Sequence, residues 1–172
     1  MASDHADSHD LDKLTRWRKG LAEAGRSQFP VFAVFLVGPE DRGAHGVFRE
    51  FRSSFEVRNV PYENLVIFGQ HGLSKTLRGL GAGIGLSQGE IPLLTLISSP
   101  SAGTVYTVAL ERGSPVEATE GEPWRGVLRL IEVASDAGEK TLDLESIKEV
   151  TPRSIRFGAM ESIINRLLIR LS

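Results

Sequence analysis

A proline at the start of an apolar run in the middle of the chain constrains the fold more than any other feature. Pro92 follows Ile91 and precedes the run LLTLI over residues 93–97. Proline has no backbone N–H to donate within a sheet, so it is tolerated at the first residue of a strand but not in its middle. We therefore predict a strand that begins at residue 92, with the other elements arranged around it.

Apolar periodicity predicts the elements on either side of this strand. Short continuous apolar runs suit strands covered on both faces, and apolar residues at spacings of three and four suit amphipathic helices. We predict strands over residues 31–37, 65–68, 92–97 and 104–110, and helices over residues 10–24, 41–55, 74–86, 123–134 and 152–171. Because only a short turn separates the last two strands, they are predicted to be antiparallel neighbours.

Length and composition indicate one globular domain with extensions. The 172 residues are 41% hydrophobic and 24% charged, which is enough to bury a core. Residues 1–9 are rich in aspartate and histidine and poor in apolar side chains, so we predict a flexible acidic tail there. The domain is predicted to cover residues 10–135, and a C-terminal extension over residues 136–172 is predicted to end in an amphipathic helix.

The absence of cysteine excludes a whole group of functions. The chain cannot form a disulfide, use a thiolate nucleophile or hold zinc or an iron–sulfur cluster through cysteine. A formal net charge of -2 argues against general affinity for nucleic acid. No stretch approaches the roughly 20 apolar residues of a membrane span, and the first residues do not resemble a signal peptide. We predict a cytoplasmic protein with no membrane span, no metal site and no cofactor.

Four alternating glycines, Gly79, Gly81, Gly83 and Gly85, do not fit a dinucleotide-binding motif. No register gives G-x-G-x-x-G, and these glycines lie at the end of a predicted helix, whereas the motif must open one. We predict instead that they let two segments of the chain approach each other closely.

Residues 69–76, GQHGLSKT, differ from the phosphate-binding P-loop pattern by one residue. Ser74 stands where the pattern requires its second glycine, and no strand ending in aspartate follows to hold magnesium. Gly72, Ser74, Lys75 and Thr76 remain candidate anion-binding residues, because free amides at a helix N-terminus attract anions. The competing prediction is a simple N-cap by Ser74.

The predicted C-terminal helix carries a broad apolar stripe beside several arginines. Such a helix can pack on its own domain, form a homodimer or dock a partner, or lie on a membrane surface. Packing on the domain is favoured because broad apolar stripes are usually buried. The segment is net basic because it contains four arginines, which are Arg153, Arg156, Arg166 and Arg170.

The predicted order βαβαββα resembles the thioredoxin-like fold. Residues 90–96, EIPLLTL, look like the Ile-Pro-Thr-Leu strand of that family with its cis-proline, and the likeness covers about residues 30–135. The resemblance implies an α/β fold in which a thioredoxin-like central mixed sheet is flanked by helices, with extra N-terminal and C-terminal helices.

The resemblance also implies where a site would lie. The family places a Cys-x-x-Cys pair between its first strand and helix, but residues 40–44 here read EDRGA, so thiol–disulfide oxidoreductase activity does not carry over and no catalytic residue is predicted. What carries over is a shallow peptide-binding site, in which the residue before the proline pairs with an extended segment. Its implied residues are Ile91, Pro92, Asp41, Arg42 and His45.

The predicted function is that of a redox-inactive protein-interaction module. Its predicted partner is a protein or extended peptide, with a homodimer through the C-terminal helix as a further option and nucleic acid not expected. The alternative is an anion- or nucleotide-binding protein that uses residues 69–76. Whether the chain catalyses any other reaction stays open at this point.

Overall fold

The structure, a computed structural model, describes residues 2–23, 28–111 and 123–172. Within these ranges, helices and strands alternate for most of the chain. Their order is α1 (Ala2–Glu23), β1 (Phe32–Leu36), α2 (Arg42–Glu56), β2 (Leu65–Phe68), α3 (Lys75–Ile84), β3 (Leu93–Ile97), β4 (Thr104–Ala109), α4 (Pro123–Asp136), β5 (Thr151–Ser154) and α5 (Met160–Leu171).

The strands form one mixed sheet in the order β2-β1-β3-β4-β5. β1 and β2 are parallel, and the pairs β1–β3, β3–β4 and β4–β5 are antiparallel. The predicted antiparallel pairing of β3 with β4 is thus confirmed. The fold class is also confirmed, since a mixed α/β sheet with additional terminal helices is the predicted thioredoxin-like arrangement.

Helices cover both faces of this sheet. α2 and α4 lie on one face, where Phe35 of β1 meets Phe48 and Phe51 of α2 at ring-centroid distances of 5.3 and 5.2 Å. α1, α3 and α5 lie on the other face, where Leu14 and Trp17 are fully buried. Each large apolar side chain that is buried contributes about 1.5–3 kcal/mol, so both layers stabilise the domain.

The first helix is longer than predicted. The flexible tail predicted over residues 1–9 is wrong for residues 2–9, which are the first turns of α1. Ala6 and Asp10 are each 1% exposed, because this part of the helix packs against the loop that precedes α3. Sequence reasoning missed this contact because it relied on large apolar side chains, whereas the buried residues here are an alanine and an aspartate.

The C-terminal segment divides into a strand and a helix. A single helix over residues 152–171 is wrong, because Pro152 and Arg153 belong to β5. β5 is at the end of the sheet, where a strand tolerates proline. Phe157 and Gly158 then adopt φ angles of 63° and 79°. These angles are not helical, so α5 begins only at Met160.

α5 packs on the domain, and its contact with α3 explains two of the alternating glycines. Met160, Ile163, Ile164 and Leu167 of α5 are buried. A Cβ atom on Gly79 would lie 2.2 Å from Leu167, and one on Gly83 would lie 2.8 Å from Ile163. The predicted close approach at these glycines is confirmed. No helix in the described residues is long and apolar enough to cross a membrane.

Candidate functional site

The loops before α2 and before β3 meet at one end of the sheet. The register pairs Leu36 of β1 with Leu93 of β3, so the residues after β1 lie beside Pro92. The Ile91–Pro92 peptide bond is cis, as the resemblance implies. The carbonyl of Pro92 accepts a hydrogen bond of 3.1 Å from the N–H of Leu110 beyond the end of β4.

Asp41 and His45 bind their own loop. The Asp41 carboxylate, almost fully buried, accepts a 2.8 Å hydrogen bond from the Gly38 N–H. Nε2 of His45 lies 2.9 Å from the Gly38 carbonyl, which can only accept, so this nitrogen carries the proton. Of these three candidates, which lie at the N-cap and in the first turn of α2, Arg42 alone is exposed. Asp41 and His45 therefore fix the loop before α2.

Ile91 faces the other side of the sheet. It lines a cavity of about 200 Å³, here called the Ile91 cavity, between α3 and the segment before β3. Asp41, Arg42 and His45 are not among the described residues that line it, so the five candidates do not share this cavity. The lining residues are Leu73, Leu77, Arg78, Gly81, Ala82, Leu86, Ser87 and Ile91.

The candidate anion-binding loop is held by two carboxylates of α1. Oδ2 of Asp10 accepts from the Gly69 N–H at 2.9 Å and from the Ser74 hydroxyl at 2.5 Å, and Oδ1 of Asp7 accepts from the Lys75 N–H at 2.8 Å. Ser74 also accepts from the Leu77 N–H at 3.0 Å, so the predicted N-cap is confirmed. Carboxylates of the chain itself thus occupy amides that a bound anion would use.

Sequence reasoning missed Asp7 and Asp10, although a signal was present. Their spacing of three residues places both on one face of a helix. Lys13 follows after three more residues, and Trp17 after a further four. Steps of three and four keep all these residues on the same side of α1, where Trp17 is buried. A helix extended to residue 2 would have put these carboxylates on the packed face.

A second cavity, of about 350 Å³, lies along the open edge of β2 between α1 and α2. Nζ of Lys13 donates to the Ile67 carbonyl at 2.6 Å and to Oε1 of Gln70 at 2.9 Å. Burial lowers the pKa of Lys13 and raises that of Tyr62, which also lines the cavity. Because Lys13 caps a carbonyl of the edge strand, it hinders the addition of another strand there.

A third cavity, of about 420 Å³, is the α3–α5 groove between these two helices. Arg156, Arg166 and Arg170 line it, and none of them forms an ion pair with a described residue. The guanidinium carbon of Arg166 lies 3.8 Å from the ring centroid of Phe157. Sequence analysis noted these arginines but could not place them beside α3.

Three histidines meet where α1 packs on the loop before α3. The rings of His5 and His9 lie 5.4 and 4.1 Å from the ring of His71. Burial is the main cause that lowers the pKa of His9, and the nearby Lys13 adds to it. No group of three or more metal-ligating side chains in the described part of the chain is arranged to hold a metal ion.

Comparisons of the chain with protein-family models, with curated proteins and with solved structures found no match. We therefore argue function from the geometry of the cavities and loops alone.

Proposed function

We propose that this chain is a redox-inactive thioredoxin-like protein that binds an extended segment of a partner protein beside Ile91. The observation that carries the proposal is the Ile91 cavity, which lies next to the segment that the family uses for peptide binding. Most of its lining is apolar, and Leu73 at its border is 44% exposed. A cavity of this kind suits one large apolar side chain of a bound segment.

The backbone beside the cavity is available for pairing. Among the described residues, no backbone–backbone hydrogen bond outside the helices and strands involves Ile91. An extended segment that pairs with a free backbone gains affinity from main-chain hydrogen bonds and specificity from pockets for its side chains. Ile91 supplies both a backbone partner and a cavity wall.

The loop before α2 supports binding without redox chemistry. It contains no thiol, and Gly38 in it is bonded to the Asp41 carboxylate and to the imidazole of His45 in the first turn of α2. A scaffold of this topology without its reactive pair keeps a binding surface but has no group for thiol exchange.

Selection of peptides on the full-length chain tests this proposal. Peptides enriched from a random display library are measured by fluorescence anisotropy against the wild type, Leu73→Glu and the control Val133→Glu. Val133 is 60% exposed on α4, on the opposite face of the sheet. We expect Leu73→Glu to weaken binding by roughly tenfold or more, because it puts a charge at an apolar pocket, and the control to have no effect.

Failure to enrich any peptide would count against the proposal. So would equal affinities for the Leu73 and Val133 variants. Ile91→Ala provides a second variant, since it enlarges the cavity without adding a charge and is expected to weaken the same peptides. Circular dichroism of each variant checks that the fold is retained.

The anion- or nucleotide-binding alternative has less support. Asp7 and Asp10 accept hydrogen bonds from the amides of Lys75 and Gly69, and an incoming phosphate would have to displace these carboxylates and overcome their negative charge. A thermal shift with nucleotide and magnesium that disappears in Lys75→Ala would favour this alternative instead.

A further inference from the structure

We propose that the α3–α5 groove binds an acidic segment of the partner protein that carries a bulky apolar side chain. This inference rests on the proposed function and deepens it, because it gives the chemistry of the partner. The groove and the Ile91 cavity lie along the same helix, α3, and share Ala82 in their linings. One extended segment can therefore reach from one to the other.

The charge of the groove selects an acidic occupant. Arg156, Arg166 and Arg170 are all exposed, and no described carboxylate pairs with them. α3 contains no acidic residue, and the one acidic residue of α5, Glu161, does not line the groove. Guanidinium groups bind carboxylates in a bidentate manner, so three of them favour a segment rich in aspartate and glutamate.

The floor and border of the groove are apolar. Ile163 and Leu167 are buried in its floor, while Phe157 and Ile169 are 54% and 82% exposed at its border. Aromatic residues and arginine are both enriched at protein interfaces relative to the rest of a protein surface. The combination fits a bulky apolar side chain flanked by carboxylates.

Phe157 holds its exposed ring on a strained backbone. Its φ of 63° lies in the left-handed region, where a bulky residue is strained and glycine is not. The ring nevertheless lies in the groove, 3.8 Å from the guanidinium carbon of Arg166. Strained residues of this kind cluster at binding sites.

Other occupants fit this groove less well. Two copies of the chain would bring like charges together if they met through it. A nucleic acid has no aliphatic side chain to fill the apolar floor, and a flat membrane surface does not enter a concave volume of about 420 Å³. These occupants are therefore outcomes that the test must distinguish.

The test uses the full chain and a short fluorescent peptide in which Asp and Glu surround a central Leu-Phe pair. One control peptide replaces the acidic residues by their amides, and another replaces the Leu-Phe pair by Ser-Ser. We expect only the first peptide to bind tightly. Its affinity should fall roughly tenfold as NaCl is raised from about 50 mM to about 500 mM, since salt screens exposed charges.

Two pairs of substitutions provide matched charge changes. The combination Arg166→Gln with Arg170→Gln should weaken the peptide roughly tenfold, because it removes two of the three guanidinium groups. The combination Arg49→Gln with Arg129→Gln makes the same change on exposed positions of α2 and α4, on the opposite face, and should leave binding unchanged.

Phe157→Gly separates binding from stability. Glycine tolerates the positive φ, so the melting temperature should stay the same or rise, while loss of the ring should weaken the acidic peptide about fivefold. A role limited to folding would instead lower the melting temperature and leave binding unchanged, which would contradict the inference.

Several results would overturn the inference. One is that the acidic and amide peptides bind equally, and another is that the two double variants lose the same affinity for the acidic peptide. The others are that the chain binds anionic vesicles or duplex DNA as tightly as the peptide, or that it forms a dimer that depends on Arg166 and Arg170. If the acidic peptide fails while library peptides still bind in a Leu73-dependent manner, this inference falls and the proposed function stands. Failure of both sets of peptides refutes both.

Discussion

At the scale of single residues, one buried carboxylate shapes the loop before α3. Asp10 is 1% exposed and accepts hydrogen bonds from the Gly69 N–H and the Ser74 hydroxyl. Gly69 has a φ of 92°, and a Cβ atom there would lie 1.9 Å from the carbonyl oxygen of Val37. The loop thus depends on a glycine that fits against Val37, just after β1, and on a carboxylate from α1, which is distant in the sequence.

Asp10→Ala should destabilise the protein by about 2–3 kcal/mol, because it leaves two buried donors without an acceptor. The measurement is the free energy of unfolding from urea denaturation at neutral pH. Asp12→Ala, an exposed position on the same helix, is the control and should change stability by less than about 0.5 kcal/mol. Equal effects of the two substitutions would show that the Asp10 contacts contribute nothing.

At the scale of elements, α3 and α5 pack closely because glycines replace larger side chains. Gly79 and Gly83 are one helical turn apart and face Leu167 and Ile163 of α5. Gly81 faces elsewhere, and the nearest atom to a Cβ placed on it is the Cβ of Leu86, at 4.0 Å. Glycines of the same series therefore have different roles: Gly79 and Gly83 lack room for a side chain beside α5, whereas Gly81 does not.

Gly83→Ala and Gly81→Ala should have opposite effects on stability. An added methyl at residue 83 would lie 2.8 Å from two atoms of Ile163, and overpacking of this kind costs about 1–3 kcal/mol. At residue 81 the methyl has room, and alanine is favoured over glycine within a helix by about 0.5–1 kcal/mol. Thermal unfolding of both variants measures the difference. Destabilisation by both substitutions to the same extent would contradict this packing.

At the scale of the whole molecule, the C-terminal extension completes the domain. β5 pairs with β4 as the fifth strand of the sheet, and α5 covers α1 and α3. An ion pair between Arg153 of β5 and Glu90 joins this extension to the segment before β3. The hydrogen bond from Arg153, and then the one from the Ser87 N–H, hold the pKa of Glu90 below its ordinary value of 4.5.

This pair predicts a loss of stability in acid. Because the pKa of Glu90 is lower in the folded state, the stabilisation is fully present above pH 4.5 and is lost as the pH falls through the folded-state pKa. Glu90→Gln should therefore lower the free energy of unfolding at pH 7 and have little effect below the folded-state pKa. The pair contributes at most about 1 kcal/mol, since the two side chains are 34% and 24% exposed.

Glu139→Gln is the matched control for this pH dependence. Glu139 is exposed, and its side chain forms no ion pair with a described residue. Urea denaturation of the wild type and both variants across this pH range gives the comparison. A Glu90 effect that stayed constant with pH would exclude titration of this carboxylate as its source.

The sequence by itself determined the first four strands, most of the helices and the order of these elements, but not β5. Continuous apolar runs gave β1 and β2, Pro92 marked the segment that leads into β3, and helical periodicity gave α2 and α4, because burial on a sheet imposes these patterns locally. The absence of cysteine likewise decided, without coordinates, that thiol chemistry is excluded.

Only the tertiary structure decided which residues meet. Asp10 lies 59 residues before Gly69, and Arg153 lies 63 residues after Glu90. Arg166 and Arg170 of α5 are likewise far from α3 in the sequence but line a groove with it. The same structure separated Ile91 from Asp41 and His45, because the segments before β3 and α2 direct these side chains to different places. Local periodicity records which side of an element is buried, but not the partner against which it is buried.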